Sequence, residues 1–257
     1  MKQRRRYRAH WRTTVIALLT VQLISCAQTP RVVSTDTQKI NAECVVLLHG
    51  LAKSSRSMNK VEDALLASGF STVNIDYPSR EKPIDLLAQE AIPNGIAGCR
   101  AQSAERIHFV THSMGAILVR QYLAENEFRE LGRVVMLSPP NQGTVVIDRL
   151  EGFPGFARIV GPAGAQLGTN GESVPRQLGP VNFDVGIIAG DKSINLIFSR
   201  IIPGEDDSMV SIESAKIEGM SDFLILHETH LGITRSEESI SQIIRFLMNG
   251  EFTDLDT

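Results

Sequence analysis

Ile107-His108-Phe109-Val110-Thr111-His112-Ser113-Met114-Gly115-Ala116 runs from an apolar segment into a helix-forming one, with a serine at the joint. Ile107–Val110 has the continuous apolar character of a buried strand, and Met114–Glu125 has the pattern of a helix. Thr111-His112-Ser113-Met114-Gly115 leaves room only for a sharp strand-to-helix turn. Small neighbours let the backbone pack that tightly, and the turn lifts the Ser113 hydroxyl clear of a sheet. The helix opening at Met114 aims its N-terminus at the same spot, where free N–H groups and the helix dipole favour negative charge. Ser113 is therefore a candidate nucleophile.

Working outward from this joint, further apolar runs recur at wide spacing: Cys44–Leu48, Ser71–Ile75, Arg133–Leu137, Val185–Ala189 and Phe223–Leu226. Their near-continuous hydrophobicity suits parallel strands covered on both faces. Helical patterns lie between them. Ser57–Ser68 places Val61, Ala64 and Leu65 on one face and stops at Gly69. Pro83 is expected to open a second helix and Pro93 to end it. Thr234-x-x-Glu237 reads as a capping box for a last helix, with Ile240, Ile243, Ile244 and Leu247 on one face and Gly250 as its stop. Strands alternating with helices predict an α/β fold with a mostly parallel central sheet of about six strands and helices on both faces. Pro139–Asp184 breaks the rhythm. It holds eight glycines and six prolines between two strands, a composition that argues against a regular helix pair. It is read as a small inserted, cap-like segment, with Leu150, Phe153, Phe156, Ile159 and Val160 spaced to line an apolar wall over Ser113.

The N-terminus is expected not to belong to the fold. Residues 1–12 carry six basic residues and no acid, and an apolar run, Thr14–Ile24, follows. That run is short for a membrane span and suits the core of a signal peptide. Six of the 26 basic residues and none of the 29 acidic ones precede Cys26, so the remainder carries nine more acidic than basic residues. Such a domain offers no electrostatic reason to bind nucleic acid. Leu23-Ile24-Ser25-Cys26 resembles the lipobox of bacterial lipoproteins, which implies acylation of Cys26 and a membrane anchor facing the periplasm or cell exterior. The expected organisation is a signal peptide (1–25), a tether (26–42) and one domain (43–257). Cys44 and Cys99 would then meet an oxidising compartment, where a disulfide and two buried thiols are both open. No spacing of His and Cys suggests a zinc site.

The joint at Ser113, taken with the strand that ends in Val45-Val46-Leu47-Leu48-His49-Gly50-Leu51, resembles the α/β-hydrolase superfamily, specifically its bacterial lipase- and esterase-like members. The usual Gly-x-Ser-x-Gly begins here with Thr111. The resemblance covers residues 43–250 and implies a Ser-His-acid triad in the chain order Ser, Asp/Glu, His. It implies an oxyanion hole from the backbone N–H groups of Leu51 and Met114, with His49 structural. The base is expected at His230, in the loop before the last helix, with His227 as the alternative. The acid is expected at Asp207, because Gly204-Glu205-Asp206-Asp207-Ser208-Met209-Val210 resembles the Asp-Gly-x-Val turn of bacterial lipases with Ser208 in the glycine's place; Asp206 and Asp191 are the alternatives. Tyr77-Pro78-Ser79 and Ser138–Gly143 also look like lipase-type loops. The resemblance implies hydrolysis of esters, including lipids, through an acyl-enzyme and without a cofactor. Gly232 stands where some bacterial lipases have a calcium-binding aspartate, so no metal is expected. In this fold the first and third strands are neighbours, which would bring Cys44 and Cys99 together at the end opposite the site. Two other functions stay open: an envelope acyltransferase or amidase using the same triad, and a catalytically silent envelope lipoprotein.

Overall fold

A computed structural model of the chain describes residues 42–253. The signal peptide, Cys26 and the tether up to residue 41 lie outside the described residues.

Six strands form one sheet: β1 (Glu43–Leu48), β2 (Ser71–Ile75), β3 (Arg106–His112), β4 (Leu131–Leu137), β5 (Val185–Gly190) and β6 (Asp222–Leu226). The order is β2-β1-β3-β4-β5-β6, and every neighbouring pair is parallel. The continuous apolar runs of the sequence are explained by burial on both faces. In β1, Val45 and Leu47 pack on one face with Val61 and Leu65 of α1 (Asn59–Ala67) and Ile243 and Phe246 of α9 (Glu237–Asn249). Cys44, Val46 and Leu48 pack on the other with Leu87 and Ile92 of α2 (Ile84–Ala101) and Ile117 of α3 (Met114–Glu125). The chain leaves β1 for β2 by way of one face and returns from β2 to β3 by way of the other. Such a reversal opens a crevice at the carboxyl ends of β1 and β3, where ligands bind in open parallel sheets. Leu51 and Ser113 follow those two ends.

Pro93 does not end α2, contrary to the sequence expectation. The helix runs eight residues past it, to Ala101. The carbonyl that Pro93 leaves without a helical partner belongs to Gln89, an exposed residue that water can reach. The continuation buries Ile96 and Cys99. It also lies close to the sheet, because a Cβ on Gly95 would fall 2.5 Å from Val46 Cγ1. Cys99 forms a disulfide with Cys44, their Cα atoms 5.6 Å apart, at the end of the sheet opposite Ser113.

The cap of α9 also differs from the expected box. Ser236, not Thr234, is the N-cap, and its side chain accepts the N–H of Ser239. Gly250 ends the helix in the left-handed region, as expected. Between β4 and β5 the segment is helical in short pieces: α4 (Val145–Leu150), α5 (Phe156–Ala165) and α6 (Val174–Gln177). Its glycines and prolines shorten and kink these helices without abolishing them, and α5 breaks at Gly161-Pro162. Two further short helices, α7 (Leu196–Ser199) and α8 (Ile212–Ala215), lie between β5 and β6.

Candidate active site

Ser113 sits at φ 53°, ψ −122°, a conformation rarely adopted by residues with side chains. The turn is possible because its surroundings are small. A Cβ on Gly115 would lie 2.8 Å from the Leu48 carbonyl oxygen, and one on Gly50 would lie 3.2 Å from Ser113 Cβ. Thr111, in the place usually held by glycine, is buried in β3 and donates its hydroxyl to the Val135 carbonyl. β1 and β3 are thereby pressed together at their ends, with the serine held over the crevice.

Three sequence candidates converge there. The Ser113 hydroxyl donates to His230 Nε2 at 3.0 Å, and His230 Nδ1–H donates to Asp207 Oδ2 at 2.8 Å. Asp207 is almost fully buried, and its Oδ1 accepts the N–H groups of Met209 and Val210 at 3.0 and 2.9 Å. Burial works against the Asp207 carboxylate, but the facing His230 imidazole and the Val210 N–H outweigh it and hold its pKa below the usual carboxylate range. Ser208, in the glycine's place of the resembled turn, has φ 86°. Its hydroxyl oxygen accepts the N–H groups of Ile194 and Asn195, which helps fix that turn.

The alternative candidates have other partners. His227 is exposed, and its Nδ1 pairs with Asp191 at 2.8 Å, so the alternative base and one alternative acid bind each other. Asp206 shapes the turn: it accepts the Ser199 hydroxyl at 2.7 Å and the Ser208 N–H at 2.7 Å.

The strand end carrying Leu51 is held by a second set of contacts. His49 is buried, stacks on Tyr77 and donates Nδ1–H to the Gly50 carbonyl. Burial lowers its pKa, so the ring is neutral and Nε2 accepts the Tyr77 N–H. The Tyr77 hydroxyl donates to the His49 carbonyl. Ser79 accepts the Ala52 N–H at 3.0 Å. The Tyr77-Pro78-Ser79 loop thus fixes the turn that presents the Leu51 N–H. Neither that N–H nor that of Met114 bonds to a described residue, and Met114 opens α3, where helical N–H groups lack intrahelical partners.

A family model described as the alpha/beta hydrolase family matches residues 45–191. The chain belongs to the alpha/beta hydrolase family. No curated protein matches it in sequence. Among solved structures it resembles a mature Bacillus licheniformis lipase, with 18% identity and a TM-score of 0.65 over 79% of this chain and 91% of that one. It also resembles a Legionella pneumophila phospholipase, with 16% identity and a TM-score of 0.64 over 81% of this chain and 60% of that one. A Pyrococcus furiosus esterase matches with 19% identity and a TM-score of 0.54 over 83% and 84%. At these identities the likeness is one of fold.

In this hydrolase a cavity of about 300 Å³ opens on Ser113 and His230, walled by Leu51, Ile147, Val160, Leu167 and Met209. The expected wall is only partly there. Ile159 and Val160 line the cavity, but Phe153 is 63% exposed, and Phe156 and Leu150 pack into the core instead. Phe153 lies in the turn before α5, outside the cavity, whereas the part of α5 after the Gly161 kink comes close to Leu51 at Gly164. Among the described residues no group of three or more His, Cys, Asp or Glu is arranged to hold a metal ion.

Two residues beside the site escaped the sequence reading. His112 donates Nε2–H to the His230 carbonyl at 2.7 Å and so holds the loop of that histidine. Arg120, buried on α3, donates to the carbonyls of Asn141, Pro175 and Gly179 and ties the inserted segment to the sheet. A charged residue directly after the apolar run Ala116–Val119 was the available signal for Arg120. His112 stood next to the nucleophile, but its partner 118 residues away left no trace in local pattern.

Proposed function

We propose that this hydrolase cleaves carboxylic esters, lipids among them, through Ser113, His230 and Asp207. The observation that carries the reading is the unbroken chain from Ser113 Oγ through the His230 ring to Asp207, facing an apolar cavity. His230 Nε2 takes the Ser113 proton as Oγ attacks the ester carbonyl carbon. The tetrahedral oxyanion is held by the Leu51 and Met114 N–H groups. Collapse breaks the bond to the alcohol oxygen, which receives the proton from His230. Water then repeats the sequence on the acyl-Ser113 ester and releases the acid. Asp207 keeps Nδ1 protonated and stabilises the imidazolium.

The same reading places the domain outside the cytoplasm, anchored by acylated Cys26. The basic run, the short apolar run and Ser25-Cys26 support it, and a Cys44–Cys99 disulfide suits an oxidising compartment. Hydrolysis of p-nitrophenyl butyrate tests the activity. Ser113→Ala is expected to lower turnover by about 10⁴-fold or more with the fold unchanged. Turnover retained in pure Ser113→Ala protein would contradict the mechanism.

A further inference from the structure

Beside the apolar cavity lies a second and larger space, about 700 Å³, with a different chemistry. Lys53, Arg80 and Arg158 line it together with Asp76 and Glu81. Ala52 and Lys53 line both spaces, so the two are contiguous at the turn after β1. Among the described residues none of the three cations takes part in an ion pair. Asp76 is occupied in part by the Ser55 N–H, which donates to its Oδ1 at 3.0 Å.

The backbone explains why the three cations gather. The Ala52 N–H donates to Ser79, which joins the turn carrying Lys53 to the loop carrying Arg80. Gly161, at φ 68°, rests directly on the Arg80 carbonyl, where a Cβ would come within 2.0 Å of the oxygen. Arg158 precedes this contact by three residues on α5 and overhangs the same groove. The next two residues, Ile159 and Val160, line the apolar cavity. α5 therefore divides the two spaces, basic on one side and apolar on the other.

An ester seated on Ser113 has two arms, and these surroundings sort them. The acyl arm fits the apolar cavity, which leaves the contiguous basic groove for the alcohol arm. Arginine pairs with phosphate through two parallel hydrogen bonds, and exposed, unpaired arginines are free to do so. We propose that the alcohol arm of the substrate carries a phosphate, as in a glycerophospholipid, held by Arg80, Arg158 and Lys53. This rests on the ester-hydrolase reading above and narrows it to a substrate class.

Two monomeric short-chain substrates that differ only in the phosphate test it: dihexanoyl phosphatidic acid and dihexanoylglycerol. The wild-type protein is expected to favour the phosphatidic acid in kcat/KM by about tenfold or more. In the double variant Arg80→Gln/Arg158→Gln that preference should fall to near unity, with kcat/KM on dihexanoylglycerol held within about twofold, since neither arginine touches the triad. Equal rates on both substrates in the wild type, or a preference that survives in the variant, would overturn the proposal while leaving the ester-hydrolase reading intact. Inorganic phosphate that altered turnover of dihexanoylglycerol, with both esters cleaved equally, would make the groove a free-anion site and also overturn it. Failure of the wild type to cleave either substrate or p-nitrophenyl butyrate would remove the ester-hydrolase reading and this inference with it.

Discussion

Ser113 and His112 stand side by side, and each carries a local cost that the neighbours must offset. The Ser113 backbone, at φ 53°, ψ −122°, stores on the order of 1–3 kcal/mol. It is held there by β1 packing on Gly115 and by the Leu137 carbonyl, which accepts the Ser113 N–H. His112 is buried, and its Nδ1 bonds to no described residue. Burial, helped by the adjacent His230, pushes its pKa down to about 3, so the folded protein holds it neutral. An unfolded histidine takes up a proton below about pH 6.5. Between these two values the unfolded state binds more protons, so stability falls as pH falls, by up to about 1.4 kcal/mol per pH unit from this residue. His112→Gln removes that dependence and keeps a donor for the His230 carbonyl. Urea unfolding at pH 6 and pH 4 should show a loss of stability smaller in the variant than in the wild type, by on the order of 2 kcal/mol. Equal losses would mean that His112 is not held neutral. At this scale the sequence was informative where a residue type and its neighbours stated a task, as at Ser113 and in the Asp206–Val210 turn. It was silent on His112, because a bond to a carbonyl 118 residues away has no local signature.

The elements are positioned by close approaches more than by propensity. α2 survives Pro93 because Gly95 lets it lie on Val46 and because Ile96 and Cys99 are buried beyond the proline. Local rules favoured a stop, and tertiary packing overrode them. The α9 cap moved from Thr234 to Ser236 for a related reason: the Ser236 N–H donates to the Gly232 carbonyl, so the turn before the helix extends two residues further. The strands fared better, since burial on both faces writes an unbroken apolar run into the sequence. In the inserted segment, composition alone could not tell that α5 would kink at Gly161, that Val160 would line the cavity, or that Phe153 would stay outside in the turn before the helix. That geometry makes a prediction. Val160→Phe should shorten the cavity and lower the ratio of p-nitrophenyl octanoate to butyrate kcat/KM by roughly tenfold. Phe153→Ala should leave the ratio unchanged. A shift in the Phe153 variant and none in the Val160 variant would move the acyl wall to the turn before α5.

The whole molecule separates stability from chemistry by putting them at opposite ends of the sheet. Cys44 lies at the start of β1 and Cys99 in the last turn of α2, at the end away from Ser113, and their bridge encloses a separation of 55 residues. In the chain-entropy description such a closure stabilises by about 4 kcal/mol. Cys44→Ala/Cys99→Ala should therefore lower Tm by about 10 °C. Ester turnover at 25 °C should stay within about twofold. An unchanged Tm would show that the bridge is not formed. A mostly parallel sheet of about six strands was legible from the apolar runs, and the adjacency of β1 and β3 as a resemblance carried by two glycine-bearing turns. The basic groove was not, since Lys53, Arg80 and Arg158 come together only once Gly161 docks on Arg80. In the proposed mechanism Ser113 is activated by His230 and not by the exposed His227 paired with Asp191. Labelling with a fluorophosphonate, followed by peptide mass mapping, tests it most directly. Rapid labelling is expected on Ser113 in the wild type, with near-complete loss in His230→Ala and labelling close to wild type in His227→Ala. Labelling at another serine, or loss in the His227 variant with retention in the His230 variant, would contradict it.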